Sequence, residues 1–468
     1  MRYVSTRGRA QPRDFEGVLL AGLAEDGGLF VPESWPVLDA AAWRALRGLP
    51  YEELAARLIA PFAEGCLTLE ELRSLCRDAY RRFDHAAVVP LVQLDERRFA
   101  LELFHGPTLA FKDLALQLLG RLFDHVLARR GERITIIGAT SGDTGSAAIE
   151  ACRDRAAVDI VILHPKGRTS AVQRRQMTTV LAENVANIAL EGSFDDCQDA
   201  VKAMFGDAAF REELHLAAVN SINWARIAAQ IPYYAAAALA LGAPDRPVAV
   251  AVPTGNFGNV LAAYGAMRMG LPIARFIVAT NRNDILARFL AANDMSIRPV
   301  EASLSPSMDI QVSSNFERLL FELLERDAEA TAAVMTAFRS SGRMPVPDSA
   351  WRRLRDRFLG FSLDDAGTLE AMRRIRQESG YLSDPHSAIG IAAAAALAPP
   401  ERAIPVVAAA TAHPAKFPEA VKAALGEVPR LPPQLADLFD REERCSVLPN
   451  DLAAIKAFVR AHARRRAA

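Results

Sequence analysis

Residues 104–113 read Phe-His-Gly-Pro-Thr-Leu-Ala-Phe-Lys-Asp and set one lysine, Lys112, among small and apolar neighbours at a turn that runs into a helix start. An ammonium is strongly hydrated, so a lysine that leaves water needs a chemical reason. Imine formation is one: a desolvated amine gives up its proton more readily and can condense with an aldehyde. The same spacing also allows a helix opening at Pro107 or Thr108 with an outward-pointing lysine.

Four other segments carry groups that would complete such chemistry. The first, Gly138-Ala-Thr-Ser-Gly-Asp-Thr-Gly-Ser146, lacks the lysine of a Walker-type loop and the first turn of G-x-G-x-x-G, so nucleotide binding is unsupported. It leaves a helix N-terminus crowded with backbone N–H groups and the hydroxyls of Thr140, Ser141, Thr144 and Ser146, suited to a small anion such as an amino-acid carboxylate. Ser141 or Asp143 could equally serve as an ordinary helix cap. The second, Pro253-Thr-Gly-Asn-Phe-Gly-Asn259, can converge backbone N–H groups on a phosphate if Gly255 and Gly258 take backbone angles that other residues resist. A plain strand-to-helix loop is the alternative. The third, Asn220-Ser-Ile-Asn-Trp-Ala-Arg226, spaces Ser221, Asn223 and Arg226 so that all three could face one side of a helix start, where Arg226 would grip a second phosphate or a carboxylate. A capped helix with a surface arginine fits as well. The fourth is Thr411, a hydroxyl at a strand's end, able to meet a ring nitrogen or simply to terminate the strand.

The elements that must hold these turns alternate between strand and helix. Phe99–Phe104, Ile134–Thr140, Val158–His164, Val248–Pro253 and Pro405–Thr411 are strand-like; Leu114–Arg129, about Gly145–Arg153 and the stretch up to Met269 have helical spacing. Residues 1–85 look helical. That alternation predicts an α/β protein with largely parallel sheets, and in open parallel sheets ligands bind beyond the strands' carboxyl ends, where the informative turns lie.

The 468 residues suggest two or three domains, and 51% hydrophobic residues can bury a large core. A net charge of −1 gives no field for nucleic acid or anionic membrane, and the basic stretch Arg460–Arg466 reads as a short exposed tail. Cys66, Cys76, Cys152, Cys197 and Cys445 are dispersed, without metal-ligand spacing, which suits a reducing compartment. No signal peptide is visible, and the apolar runs Ile389–Leu397 and Tyr233–Leu241 are too short to span a bilayer. A cytoplasmic protein is expected.

The order and joint content of Phe104–Asp113, Thr140–Gly145, Asn220–Arg226, Gly255–Asn259 and Thr411–Phe417 closely resemble threonine synthase, in the fold type II, tryptophan synthase β-like group of pyridoxal phosphate enzymes. The likeness extends to Asp26-Gly-Gly-Leu-Phe-Val-Pro32 and to Leu382–Ala388 with Asp384-Pro-His386. It implies two open, largely parallel sheet domains with a helical N-terminal extension. The implied division is 1–85 helical, 86–130 and 216–468 the large cofactor domain, and 131–215 a small mobile α/β domain.

By the same resemblance, Lys112 matches the catalytic lysine that bears pyridoxal 5'-phosphate. Gly255, Asn256, Phe257, Gly258 and Asn259 match the cradle of the cofactor phosphate, and Thr411 the hydroxyl facing its ring nitrogen. Thr140, Ser141, Gly142, Asp143 and Thr144 match the loop that takes the substrate carboxylate; Ser221, Asn223 and Arg226 match positions that hold the substrate phosphate. Many fold type II enzymes carry Asn in place of Asp143, and an ionised Asp143 cannot donate to the cofactor's 3-oxygen as that Asn does. Lys166 or Arg168 either assists with phosphate or sits in a solvated turn. The implied reaction turns O-phospho-L-homoserine and water into L-threonine and phosphate, in a monomer or homodimer without nucleic-acid or membrane partners. A threonine dehydratase, a cysteine synthase or a non-catalytic ligand-binding paralogue is the alternative.

Overall fold

The computed structural model describes residues 1–219, 221–396 and 403–467, the side chains of 396 and 464–467 aside. Asn220, Leu397 and the side chains of Arg464, Arg465 and Arg466 therefore lie outside the described residues.

In chain order the strands are β1 (Tyr3–Ser5), β2 (Phe30–Pro32), β3 (Leu91–Gln93), β4 (Arg98–Glu102), β5 (Ile134–Ala139), β6 (Val158–Pro165), β7 (Val185–Glu191), β8 (Leu216–Ala217), β9 (Val248–Pro253), β10 (Ile273–Thr280), β11 (Phe358–Ser362), β12 (Val406–Ala410) and β13 (Ser446–Pro449). They form a larger sheet in the order β11-β10-β9-β12-β4-β3 and a smaller one in the order β13-β7-β6-β5-β8, with β1 and β2 as a separate antiparallel ribbon. All pairings in the two main sheets are parallel except β3 with β4. β9 is an unbroken apolar run, and β6 is one apart from Asp159 and His164, because helices cover both faces: every residue of both strands is buried.

The expected α/β class with two largely parallel sheets holds, and two boundaries move. β13 joins β7 in the smaller sheet, and Ile455 and Val459 behind it complete that sheet's core with Ile188, Met204 and Phe210. The stretch 216–468 therefore does not belong wholly to the larger sheet, as β8 at its start also shows. Residues 1–85 are mostly helical, at Phe15–Ala21, Ala40–Ala45, Tyr51–Ile59 and Leu69–Tyr80, but include the β1–β2 ribbon. They pack into the main core rather than standing apart. Strands β7, β10 and β11 are findings of the structure that the sequence reading did not anticipate.

One helix positions the rest. Lys112–Arg130 is buried on all sides from Asp113 to Phe123, with leucines or phenylalanine at 114, 116, 118, 119, 122, 123 and 127, and ends on Gly131 in the left-handed conformation. It lies against Asp143–Cys152, and the approach is so close that a Cβ on Gly120 would fall 2.4 Å from the carbonyl oxygen of Ala151. Gly120 stands eight positions beyond Lys112, and Ala151 eight beyond Asp143. At ~1.5 Å per residue each contact is about 12 Å along its helix, so the close crossing brings the two opening residues side by side.

Candidate functional site

The turns after β4, β5, β9 and β12 open into one cleft, lined by Phe111, Lys112, Thr144, Thr254, Gly255, Asn256, Gly258, Asn259 and Thr411, with Ser221, Arg226 and Gln230 on one side and Ser307, Met308 and His386 on another. Among the described lining residues there is no carboxylate.

Lys112 is the first residue of its helix, and its Nζ lies 3.4 Å from Asp143 Oδ2 and 3.4 Å from Ser307 Oγ. Burial is the main cause that lowers its ammonium below the usual lysine range; Asp143 opposes this, and Lys416 and Arg226 add to it. The positive end of its own helix works in the same direction. Two lysines flank Asp143: its Oδ1 is 3.0 Å from Lys416 Nζ and accepts from Gln173 Nε2 at 2.9 Å, while Oδ2 accepts from Ser307 Oγ at 3.0 Å. Burial disfavours its ionisation, but Lys416 and Lys112 outweigh that and hold the carboxyl well below the usual range.

The segment before Lys112 is a clamp. Asp113, fully buried, accepts from the Thr108 backbone N–H at 2.8 Å and its hydroxyl at 2.7 Å, and burial pushes its carboxyl up to about 6. The Thr108 carbonyl in turn accepts from Lys416 Nζ at 2.6 Å. Phe111 N–H donates to the Thr411 carbonyl at 2.8 Å, which joins the lysine segment to the end of β12.

Among the residues of the site that the sequence reading did not single out are Ser307, His386 and Lys416. His386 Nε2 accepts from the Ser307 backbone N–H at 3.3 Å, which makes Nδ1 the donor to Asp384 Oδ2 at 2.7 Å. Ser307 comes from the one-turn helix Pro306–Met308, which carries no motif. His386 and Lys416 lay inside quoted segments, and a basic or titratable residue beside a strand's end was the available signal.

The turn after β9 works differently from expectation. Neither Gly255 nor Gly258 has positive φ; the left-handed residue is Phe257, at φ 62°. Its N–H donates to Thr254 Oγ1 at 3.2 Å and its ring packs on Phe316, so tertiary contacts hold a conformation that costs a bulky residue about 1 kcal/mol. The helix Gly258–Arg268 then presents its unpaired first N–H groups to the cleft. Asn259 Oδ1 lies within hydrogen-bond reach of the Tyr233 hydroxyl at 2.7 Å and of the Tyr234 hydroxyl. Its Nδ2 is therefore turned the other way, buried and without a partner.

Arg226 is 4% exposed, and its Nη1 donates to the Val219 carbonyl at 3.1 Å while Nε has no partner. Burial lowers its guanidinium to about 10, with no neighbouring charge contributing. Ser221 reaches the same cleft. Asn223 does not. Its Oδ1 accepts from Ala225 N–H at 3.0 Å as a helix cap, and its Nδ2 donates to the Leu19 carbonyl at 2.8 Å. With both ends committed, Asn223 ties the N-terminal region to the site, as does Trp224 among Tyr3, Trp35 and Phe62. Asn223→Ala is accordingly expected to cost about 1–3 kcal/mol in urea denaturation with a Michaelis constant close to wild type. Unchanged stability with a large rise in Michaelis constant would return it to the ligand.

In the loop after β5 the cap is Thr140, whose Oγ1 accepts from the N–H groups of Gly142 and Gly145 at 3.0 and 2.9 Å. Ser141 is exposed, and Gly142, at φ 145°, leaves its space to Gln173, whose side chain a Cβ would strike at 2.4 Å. Only Thr144 of this loop lines the cleft. Asp143, expected to help take a carboxylate, cannot offer its side chain to one, because like charges would meet and its oxygens are committed to the lysines. Lys166 pairs with Glu191 at 2.9 Å, Arg168 is exposed, and neither lines the cleft.

Comparison with known proteins places this cleft in context. Residues 2–80 match the family described as threonine synthase N terminus, 84–409 the pyridoxal-phosphate dependent enzymes, and 387–459 threonine synthase, C-terminal. Threonine synthase from Pseudomonas aeruginosa is 56% identical over 466 residues, covering 99% of each chain. The crystal structure of pyridoxal phosphate-bound threonine synthase from Brucella melitensis superposes with a TM-score of 0.97 at 52% identity, over 99% of this chain and 100% of that one. The yeast threonine synthase structure gives 0.94 at 38%, over 99% of both.

Proposed function

The chain belongs to the threonine synthase family of pyridoxal phosphate enzymes, and from that premise we propose that it converts O-phospho-L-homoserine and water to L-threonine and inorganic phosphate. The observation that carries the reading is Arg226, a buried guanidinium that lines the same cleft as Lys112 and has an unpartnered Nε. A buried cation without an acid is costly until an anion arrives. Lys112 and Arg226 both line the cleft and no described carboxylate does, so its lining carries an excess of positive charge. A phosphorylated amino acid offsets that excess.

The residues present fit the cofactor. The unpartnered Asn259 Nδ2, the open N–H groups at Gly258 and a carboxylate-free lining suit a phosphate, and Lys112 is a nearly buried amine whose proton is weakened. Gly255, Asn256, Phe257, Gly258 and Asn259 would hold the phosphate, Lys112 the aldehyde carbon, and Thr411 the ring nitrogen. Bound there, pyridoxal phosphate supplies an electron sink for charge that develops at the substrate's α-carbon.

The protein moves protons and holds anions. Lys112 Nζ takes the Cα proton, and the weakening of its ammonium by burial leaves a usable fraction as free amine. Ser307 Oγ, within 3.4 Å, orients that nitrogen. Arg226 and Ser221 grip the phosphate that departs from Cγ, where its charge needs holding most. Thr144 and the N-terminal end of Asp143–Cys152 attract the substrate carboxylate through backbone dipoles. Water adds at Cβ. The decisive assay supplies O-phosphohomoserine and measures phosphate and threonine together, expected one to one. Deamination of serine or threonine with no consumption of O-phosphohomoserine would overturn the reading.

Thr411→Val is expected to weaken cofactor retention by about 0.5–1.5 kcal/mol, one neutral hydrogen bond, in equilibrium binding of pyridoxal phosphate. Unaltered retention would remove Thr411 from the ring nitrogen. Five unpaired cysteines agree with a cytoplasmic setting, and we read the working unit as a monomer or homodimer.

A further inference from the structure

Lys416 is fully buried, does not line the cleft and sits on the one-turn helix Pro414–Lys416 after β12. Burying an ammonium costs enough to require a role. Its Nζ is fixed twice, 2.6 Å from the Thr108 carbonyl and 3.0 Å from Asp143 Oδ1. Thr108 is itself locked by Asp113. Asp143 thus divides its oxygens between two ammoniums, and Lys112 holds the longer contact, 3.4 Å to Oδ2. The asymmetry suits a pair in which one lysine stays and the other must leave.

We propose that Lys416 is a positioning residue for the reaction: by occupying Oδ1 it orients Asp143 and serves as its main counter-charge, leaving the Lys112 nitrogen only a share of that carboxylate. A sole pairing of Asp143 with Lys112 would hold that lysine as an ammonium, unable to condense with the cofactor or to take a proton. The inference rests on Lys112 being the cofactor-bearing lysine. The charged and titratable groups facing Lys112 are Asp143, Lys416 and Arg226; those facing Asp143 are both lysines and His386; Asp113 faces Lys416.

The test is a pH titration of the visible absorbance of the holoenzyme without substrate, which reports the proton on the nitrogen joining Lys112 to the cofactor. Lys416→Gln and Lys416→Met, which remove the charge but keep the volume, are expected to raise the midpoint by about one pH unit, with kcat falling more than KM changes. Lys416→Arg should titrate near wild type. An unchanged or lowered midpoint in a folded neutral variant overturns the proposal, as does an Arg variant that shifts like Gln. If neither neutral variant folds, Lys416 is a structural residue and the proposal falls. Borohydride reduction and peptide mapping of the wild-type enzyme, done first, test Lys112 itself, so a wrong lysine and a wrong role for Lys416 give different results.

Discussion

Lys112→Ala is expected to fold normally and to lose at least about 10³-fold in turnover, since under the proposed function one side chain both anchors the cofactor and carries the proton. Folding should survive because Asp143 keeps Lys416 at 3.0 Å, so no buried charge is orphaned. Lys416 cannot substitute, as its Nζ is held by the Thr108 carbonyl and by Asp143. Borohydride reduction of the wild-type enzyme should leave the cofactor on the peptide containing Lys112, and the alanine variant should take up no borohydride-stable label. A small amine such as methylamine should restore part of the activity. Near-wild-type turnover of Lys112→Ala, or label on another lysine, would sink the assignment.

Arg226→Ala is expected to lose about 2–5 kcal/mol of transition-state stabilisation, roughly 30- to 4000-fold in kcat/KM, because a leaving phosphate would depart into a site without its cation. The same change should leave thermal stability unaffected or raised. Arg226 is buried, its guanidinium is pushed down to about 10 by that burial, and among the described residues it donates to one carbonyl, that of Val219, so the free protein bears a cost that a bound anion would offset. Lower activity with equal or higher Tm distinguishes a binding residue from a structural one, which loses both. An Arg226→Ala enzyme as active as wild type would remove the phosphate from this position.

How far the sequence could be read depends on how local each signal is. The lysine segment, the turn after β9 and Thr411 were legible because each follows an apolar strand and stands at its carboxyl end, where parallel sheets gather ligands. Spacing gave Asn223 a place beside Arg226, but which of two neighbouring polar groups faces ligand depends on a carbonyl at Leu19, about two hundred positions away. Phe257 hid its left-handed backbone because glycines on either side looked like the residues that would need it. Ser307 reaches the cleft, and Lys416 the carboxylate of Asp143 beside it, each from a single 3-10 turn whose placement is tertiary. β13 has four residues of alternating half-burial, too weak a pattern to assign to a sheet whose other strands end at 217.

That last strand bears on how the chain is made. Synthesis delivers β5, β6, β7 and β8 within about the first half of the polypeptide, yet β7 waits for its outer neighbour, and the core beneath it for Ile455 and Val459, until some 230 further residues have been added. In between, the ribosome emits β9 to β12, the remaining parallel strands of the other sheet. The smaller sheet is thus an unfinished template through much of translation, with an apolar edge that the nascent chain must not pair with β9 or β10. Closure by residues 446–459 makes its completion a late event of high sequence separation, in the slow regime for folding, and makes the smaller sheet depend on the synthesis of that segment before it can stand as a finished wall of the cleft.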